Sequence, residues 1–205
     1  MSDVLIAHSL AEAYLYLMAT PCAQCGKGPL KGADARRLTE NDGPSVTDVA
    51  IRATCKVCGL SSDFQFNLAQ RVDAENVDAP PVVNASDAPS KIIDVAQWIT
   101  LFRVLTQAAA SQGDKQETRL LGLEAAQCLD EALKFYDDPD NDLPPPDAFF
   151  LDSSRARFDG HPEQFSRQRL IDLRAKLPTT ATMRARLAKT DATRKGPRRW
   201  WRFWK

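Results

Sequence analysis

Two Cys-x-x-Cys-Gly segments constrain the fold of this 205-residue chain more than any other feature. The first begins at Cys22 and the second at Cys55. Two thiolates of one tight turn can reach a single metal ion, and the glycine that follows can take the positive φ that turns backbone N–H groups toward sulfur. The spacing therefore predicts a four-thiolate metal site with the ligands Cys22, Cys25, Cys55 and Cys58.

The residues around these knuckles alternate between apolar and polar side chains, as strands do. Residues 45–54 place Val49, Ile51 and Ala53 on one face, and residues 63–68 alternate Phe64, Phe66 and Leu68 with polar residues. The segment 41–44 reads Asn-Asp-Gly-Pro, which predicts a turn. We expect a small antiparallel sheet clamped by the two knuckles.

This arrangement resembles a zinc ribbon over about residues 20–68. The resemblance implies a structural zinc ion but no single activity, because ribbons serve transcription, RNA handling, protein docking and larger enzymes. The two motifs are also similar to those of rubredoxins, which hold a redox iron in four thiolates under a cover of aromatic side chains. No aromatic residue lies between Tyr16 and Phe64. Zinc is therefore the expected metal and iron the alternative, and four thiolates leave no open position for catalysis.

The remainder of the chain predicts helices, so the expected fold class is α+β. The capping box Ser9–Glu12 begins a helix that runs to about Ala19. Apolar periodicity predicts helices over about 90–111 and 115–136, joined as a long αα-hairpin, a third over 162–177 and a short one over 180–190. The predicted organisation is an N-terminal helix and ribbon (1–69), a linker (70–89), a helical domain (90–190) and a basic aromatic tail (191–205).

Few other residues suggest chemistry. Cys128 falls on the apolar face of the second long helix, where a buried core thiol is expected rather than a ligand. His8 and His161 lie near no nucleophile pattern, and there is no glycine-rich phosphate loop. The acidic, proline-rich segment 137–147 lacks the glycine and the glutamate of a calcium loop and is expected to be a solvated linker. We therefore predict no enzymatic activity and no small-molecule substrate.

The formal net charge of zero conceals a strong asymmetry. Residues 1–150 carry 12 Lys and Arg against 22 Asp and Glu, whereas residues 151–205 carry 15 against 5.

The N-terminus has no basic region, and Glu12 interrupts its apolar stretch, which argues against a secretory signal. Asp94 and Arg103 interrupt the most apolar window, so no membrane span is expected. These features predict a cytoplasmic protein, with peripheral membrane association as the alternative.

The last nine residues combine cations with aromatic rings. On a helix, the aromatic residues would share one side and the cations the other, but so short a segment would order only on docking. The first expected target is the protein's own acidic body or another protein, the second an anionic membrane and the third single-stranded nucleic acid. The predicted docking residues are Arg198, Arg199, Trp200, Trp201, Arg202, Phe203, Trp204 and Lys205.

Together these features predict a non-enzymatic zinc-binding adaptor whose tail docks to a protein or to an anionic membrane. A nucleic-acid-associated zinc-ribbon factor is the first alternative, although residues 20–68 are nearly neutral, with six Lys and Arg against five Asp and Glu. A rubredoxin-like iron electron-transfer protein is the second alternative.

Overall fold

The computed structural model describes residues 4–37, 48–69, 82–138 and 140–178. Within these ranges the chain forms two compact units, one reaching to Ser86 and one beginning at Asp87. The first contains a sheet and one helix, and the second is helical, which confirms the predicted α+β class. Most of the predicted linker (70–81), the short helix over 180–190 and the tail over 191–205 lie outside the described residues.

The first unit is a five-stranded sheet with the order β1-β5-β4-β2, and β3 also pairs with β4. The predicted hairpin is formed by β4 and β5, in which Val49 lies opposite Phe66. β1 runs parallel to β5, with Leu5 opposite Phe66, so the sheet is mixed and not purely antiparallel as predicted. The strands are β1 (Leu5–Ala7), β2 (Leu30–Gly32), β3 (Arg36–Arg37), β4 (Asp48–Cys55) and β5 (Ser61–Leu68).

The helix α1 (Leu10–Ala19) packs against this sheet. Ser9 caps it, because the Ser9 Oγ accepts the Glu12 N–H at 3.2 Å. The Glu12 carboxylate accepts the backbone N–H of His8, one residue before the position that the predicted capping box requires. The contact with β2 depends on Gly32, where a Cβ would lie 2.8 Å from the Tyr14 ring.

The second unit is built on the predicted αα-hairpin, formed by α2 (Val95–Ser111) and α3 (Lys115–Leu133). α2 begins later than predicted because Asp94 caps it: the Asp94 carboxylate accepts the Gln97 N–H at 2.8 Å, and the Gln97 side chain accepts the Asp94 N–H at 3.0 Å. α3 ends at Leu133, before the predicted end at residue 136.

Short elements cover the hairpin: α4 (Asp152–Gly160), α5 (Arg167–Ala175) and two 3₁₀ turns, Pro146–Ala148 and Pro162–Phe165. The single helix predicted over 162–177 is divided because Ser166 is extended and caps α5, accepting the Arg169 N–H at 3.3 Å. The rings of Phe149, Phe158 and Phe165 lie with centroids 4.8–5.5 Å apart. This aromatic cluster forms part of the third layer that an isolated hairpin requires.

The acidic segment 137–147, predicted to be a solvated linker, makes hydrogen bonds to α5 through Asp142. The Asp142 carbonyl accepts the Arg167 N–H at 2.7 Å, and its carboxylate accepts the Gln168 N–H at 2.9 Å. Asp142 therefore satisfies backbone donors in the first turn of α5. None of the helices in the described ranges is long and apolar enough to cross a membrane.

Candidate metal centre

The sheet brings the two cysteine knuckles together. The first knuckle follows the end of α1 and precedes β2, and the second connects β4 to β5. In the antiparallel β2–β4 pair, Leu30 lies opposite Cys55, so the strand after the first knuckle begins beside the first cysteine of the second knuckle. The Lys56 N–H also donates to the Pro29 carbonyl at 3.2 Å. Ordinary strand pairing thus determines the position of both knuckles.

The two knuckles have the same backbone fold. In the first, the Gly26 N–H donates to the Cys22 carbonyl at 2.8 Å, and in the second the Gly59 N–H donates to the Cys55 carbonyl at 3.0 Å. Both glycines have positive φ angles, 66° and 77°, which side chains disfavour. No heavy atom lies within 4 Å of a Cβ built at either position, so the backbone conformation and not space calls for glycine.

The four thiols converge between the knuckles. All four Sγ atoms lie within 4.8 Å of one another. The closest pairs join opposite knuckles, with 3.5 Å between Cys22 and Cys58 and 3.7 Å between Cys25 and Cys55. The cysteines are unpaired thiols and form no disulfide. Cys22 and Cys55 are buried and Cys58 is exposed, so the first cysteine of each knuckle anchors the cluster on the protein side.

Backbone N–H groups surround the sulfur atoms in a repeated pattern. The first cysteine of each knuckle accepts N–H groups from residues two and three positions later, and the second cysteine accepts one from two positions later. Such donors stabilise negative charge on sulfur. The N–H donors belong to Gln24 and Cys25, Lys27, Val57 and Cys58, and Leu60.

These donors divide the thiols into two classes. Hydrogen bonds from the backbone lower the pKa of Cys22 and lower the pKa of Cys55 to about 6. The N–H groups of Lys27 and Leu60 act in the same direction on the second cysteines, but desolvation and the neighbouring thiols prevail. They raise the pKa of Cys25 and raise the pKa of Cys58 to about 12. Binding of a metal ion would therefore release protons held within the cluster.

The donor set suits a soft or borderline metal ion. Four sulfur ligands complete a tetrahedral shell and are typical of structural zinc and of iron bound to four cysteines. Within the part of the chain that the structure describes, this is the only group of three or more His, Cys, Asp or Glu side chains close enough to hold a metal ion. The four-cysteine cluster could hold such an ion, and its closed shell would leave no position for a substrate or a water molecule.

The remaining candidate residues take no part in this cluster. Cys128 is fully buried in α3, where burial raises its thiol pKa well above the ordinary value. The His8 ring lies 3.0 Å from Glu12 and the His161 ring 3.5 Å from Glu163. The docking residues predicted over 198–205 lie outside the described residues.

The sequence predicted the four cysteines that cluster here, but it did not reveal most of the groups that surround their sulfur atoms. The six N–H donors are backbone groups, which side-chain type does not reveal, and only the glycine after each knuckle indicates their orientation. The position of Gln24 was also missed, since its side-chain oxygen lies 3.8 Å from the Cys58 thiol.

Comparison of the chain with protein-family models, with curated proteins and with solved structures gives no match.

Proposed function

We propose that this protein is a non-enzymatic zinc-binding adaptor in which the four-cysteine unit is a structural scaffold. The observation that supports the proposal is the closed set of four thiols within 4.8 Å, which offers ligands for one ion and no vacancy for chemistry. Zinc is favoured over iron because no aromatic residue occurs between Tyr16 and Phe64 to shield a redox centre. Thiolate ligands persist best in a reducing compartment, so we place the protein in the cytosol.

Metal analysis of the full chain tests the scaffold directly. Protein purified without added metal is expected to carry close to one zinc ion per chain and to be colourless. Iron would reveal itself by visible absorption from sulfur-to-metal charge transfer and would favour the electron-transfer alternative. The proposal would be contradicted if neither metal were present and the four thiols of the cluster titrated freely. Cys128 is buried and is not counted among these four.

The adaptor role rests on the last nine residues of the basic aromatic tail, 197–205. Its sequence alternates cations with large rings, and such a segment gains order when the rings are buried and the cations meet negative charge. A protein surface provides both features, and aromatic and arginine residues dominate the energy of protein interfaces. We therefore propose that the tail docks to a partner protein.

Comparison of tail variants in the native cell tests this role. The full chain is expected to capture a reproducible partner that a chain lacking residues 197–205 does not. Replacement of Trp200, Trp201 and Trp204 by Ala should abolish capture, because the rings would supply the buried area. A variant with Gln at Arg198, Arg199 and Arg202 should weaken capture and reduce its salt dependence. Capture that survives deletion of the tail would refute the docking role.

Two further assays test the other two targets of the tail, an anionic membrane and single-stranded nucleic acid. Co-sedimentation with anionic vesicles that is lost on deletion of residues 197–205 would favour a membrane surface instead. A salt-dependent mobility shift of single-stranded oligonucleotides, lost in the same variant, would favour the nucleic-acid alternative. Zinc content should be equal in the full and shortened chains, which separates a failure of the tail proposal from a failure of the scaffold proposal.

A further inference from the structure

Two arginines of the helical unit converge from different elements. Arg103 lies on α2 and Arg157 on α4. The Arg103 Nη2 donates to the Gln164 side-chain oxygen at 2.9 Å. The guanidinium of Arg157 lies over the ring of the next residue, Phe165, 5.7 Å from the ring centroid. One short 3₁₀ turn therefore orients both cationic groups.

Contacts with α2 fix the second arginine further. The Arg157 Nη1 donates to the Thr100 hydroxyl at 2.5 Å and lies 3.4 Å from the Ala96 carbonyl. Thr100 precedes Arg103 by three positions on the helix, so the two residues occupy the same face of α2. The Arg157 guanidinium is thus held beside the turn of helix that presents Arg103.

Within the described ranges, the two arginines have no carboxylate in direct contact. Among the described residues, neither Arg103 nor Arg157 forms an ion pair. The carboxylate of Asp94 acts on Arg157 only at longer range, and its two oxygens already accept the backbone N–H groups of Gln97 and Phe150. Glu163 lies against His161. Burial lowers the pKa of Arg157, and the charge of Arg103 acts in the same direction to a smaller extent.

Most donors of the pair remain available. A guanidinium carries five N–H donors, and within the described residues only one nitrogen of each arginine donates to the protein. Arg103 is exposed and Arg157 half-buried, so both side chains reach the surface of the unit. Planar guanidinium groups match the oxygen spacing of phosphate, with two parallel hydrogen bonds for each group.

We propose that Arg103 and Arg157, supported by Thr100 and Gln164, form a binding site for the dianionic phosphate group. Two adjacent cations without a carboxylate partner favour a ligand of double negative charge over a singly charged carboxylate. The site belongs to the helical unit and requires neither the metal nor the tail. Its ligand is inorganic phosphate or a phosphate monoester, which offer the same three oxygens.

Residue-resolved NMR titration of the zinc-loaded full chain tests the site. Inorganic phosphate and, in a second arm, phenyl phosphate are added at constant ionic strength, with chloride as the balancing anion. Saturable shifts are expected at Thr100 and Gln164 and at the side-chain signals of both arginines. Tighter binding of phenyl phosphate than of inorganic phosphate would identify the ligand as a phosphate monoester. Equal binding would show that the site recognises the phosphate group alone. Shifts confined to residues 197–205, or linear shifts with both ligands, would overturn the proposal.

Matched variants separate binding from folding. Arg103→Gln removes an exposed side chain and should weaken phosphate binding by about fivefold while the helical circular dichroism is unchanged. Arg157→Lys keeps the charge but loses the two parallel N–H donors of the guanidinium, and should also weaken binding. Arg119→Gln, an exposed arginine of α3, is the control and should bind as the unmodified chain does. Equal affinity in Arg103→Gln and Arg119→Gln would refute the site.

Discussion

The Cys22 Sγ lies 3.5 Å from the Cys58 Sγ, across 36 positions of sequence and in the opposite knuckle. The Cys25 Sγ pairs in the same crossed way with that of Cys55, at 3.7 Å. A metal ion bound by all four would therefore link the segment after α1 to the β4–β5 hairpin. The linked segments include much of the first unit, so the ion would stabilise the sheet as a whole and not one loop.

This crossed arrangement predicts that loss of a single cysteine, here Cys55, abolishes metal binding. Cys55→Ser should remove the metal and unfold the first unit, because Cys55 is buried at the end of β4 and two backbone N–H groups donate to its sulfur. Metal analysis and the dispersion of amide NMR signals measure both effects. Cys128→Ala is the matched control: it also removes a buried thiol, but it should retain the metal. Full metal content in Cys55→Ser would contradict a four-thiolate site.

Removal of the metal from the unmodified protein should affect the two units differently. Binding of structural zinc contributes about 10–16 kcal/mol in small zinc-dependent domains at neutral pH, so a strong chelator should melt the sheet of the first unit. The signal at 222 nm in circular dichroism should largely persist, because α2 and α3 have their own buried core around Trp98, Leu123 and Leu129. Readdition of zinc should restore the amide signals of the sheet. Loss of all helical signal on chelation would argue against this independence.

The sequence predicted elements whose signals are local. The cysteine knuckles, the β4–β5 alternation and the apolar faces of α2 and α3 each lie within a short window, and the structure contains them all. The parallel pairing of β1 was missed because Leu5–Ala7 is too short to show alternation. The division of the helix predicted over 162–177 depends on Ser166 and on Asp142, which contacts Gln168 from 26 positions away. Such long-range contacts leave no periodic signal.

One hydrogen bond connects the end of the hairpin to its cover. The Tyr136 hydroxyl donates to the Phe165 carbonyl at 2.5 Å in a buried setting. Tyr136→Phe should lower the free energy of unfolding of the helical unit by about 1–2 kcal/mol, because the carbonyl is left without this donor. Urea unfolding followed at 222 nm measures the change. Tyr14→Phe is the control, because it removes a hydroxyl that donates to the Ala33 carbonyl in the first unit. It should not change the urea concentration at which the helical unit unfolds.

Glu124 predicts a pH dependence of the helical unit. It lies in the middle of α3 with 8% of its surface exposed, and its Oε2 is buried without a hydrogen-bond partner in the described part of the chain. Burial raises the pKa of this carboxyl from its ordinary value of 4.5 to about 7. Between these two values the folded state keeps a proton that the unfolded state releases, so the free energy of unfolding falls as the pH rises.

Replacement of this carboxyl by an amide should remove that loss. Glu124→Gln is uncharged at every pH, so its stability relative to the unmodified chain should increase from pH 5 to pH 8, by an amount on the order of 3 kcal/mol. Urea unfolding at 222 nm, repeated at the two pH values, measures the difference. Glu117→Gln, a less buried glutamate of the same helix, controls for the loss of one carboxylate. An identical difference at both pH values would show that Glu124 is ionised in the folded protein, with a counter-charge or water in its surroundings.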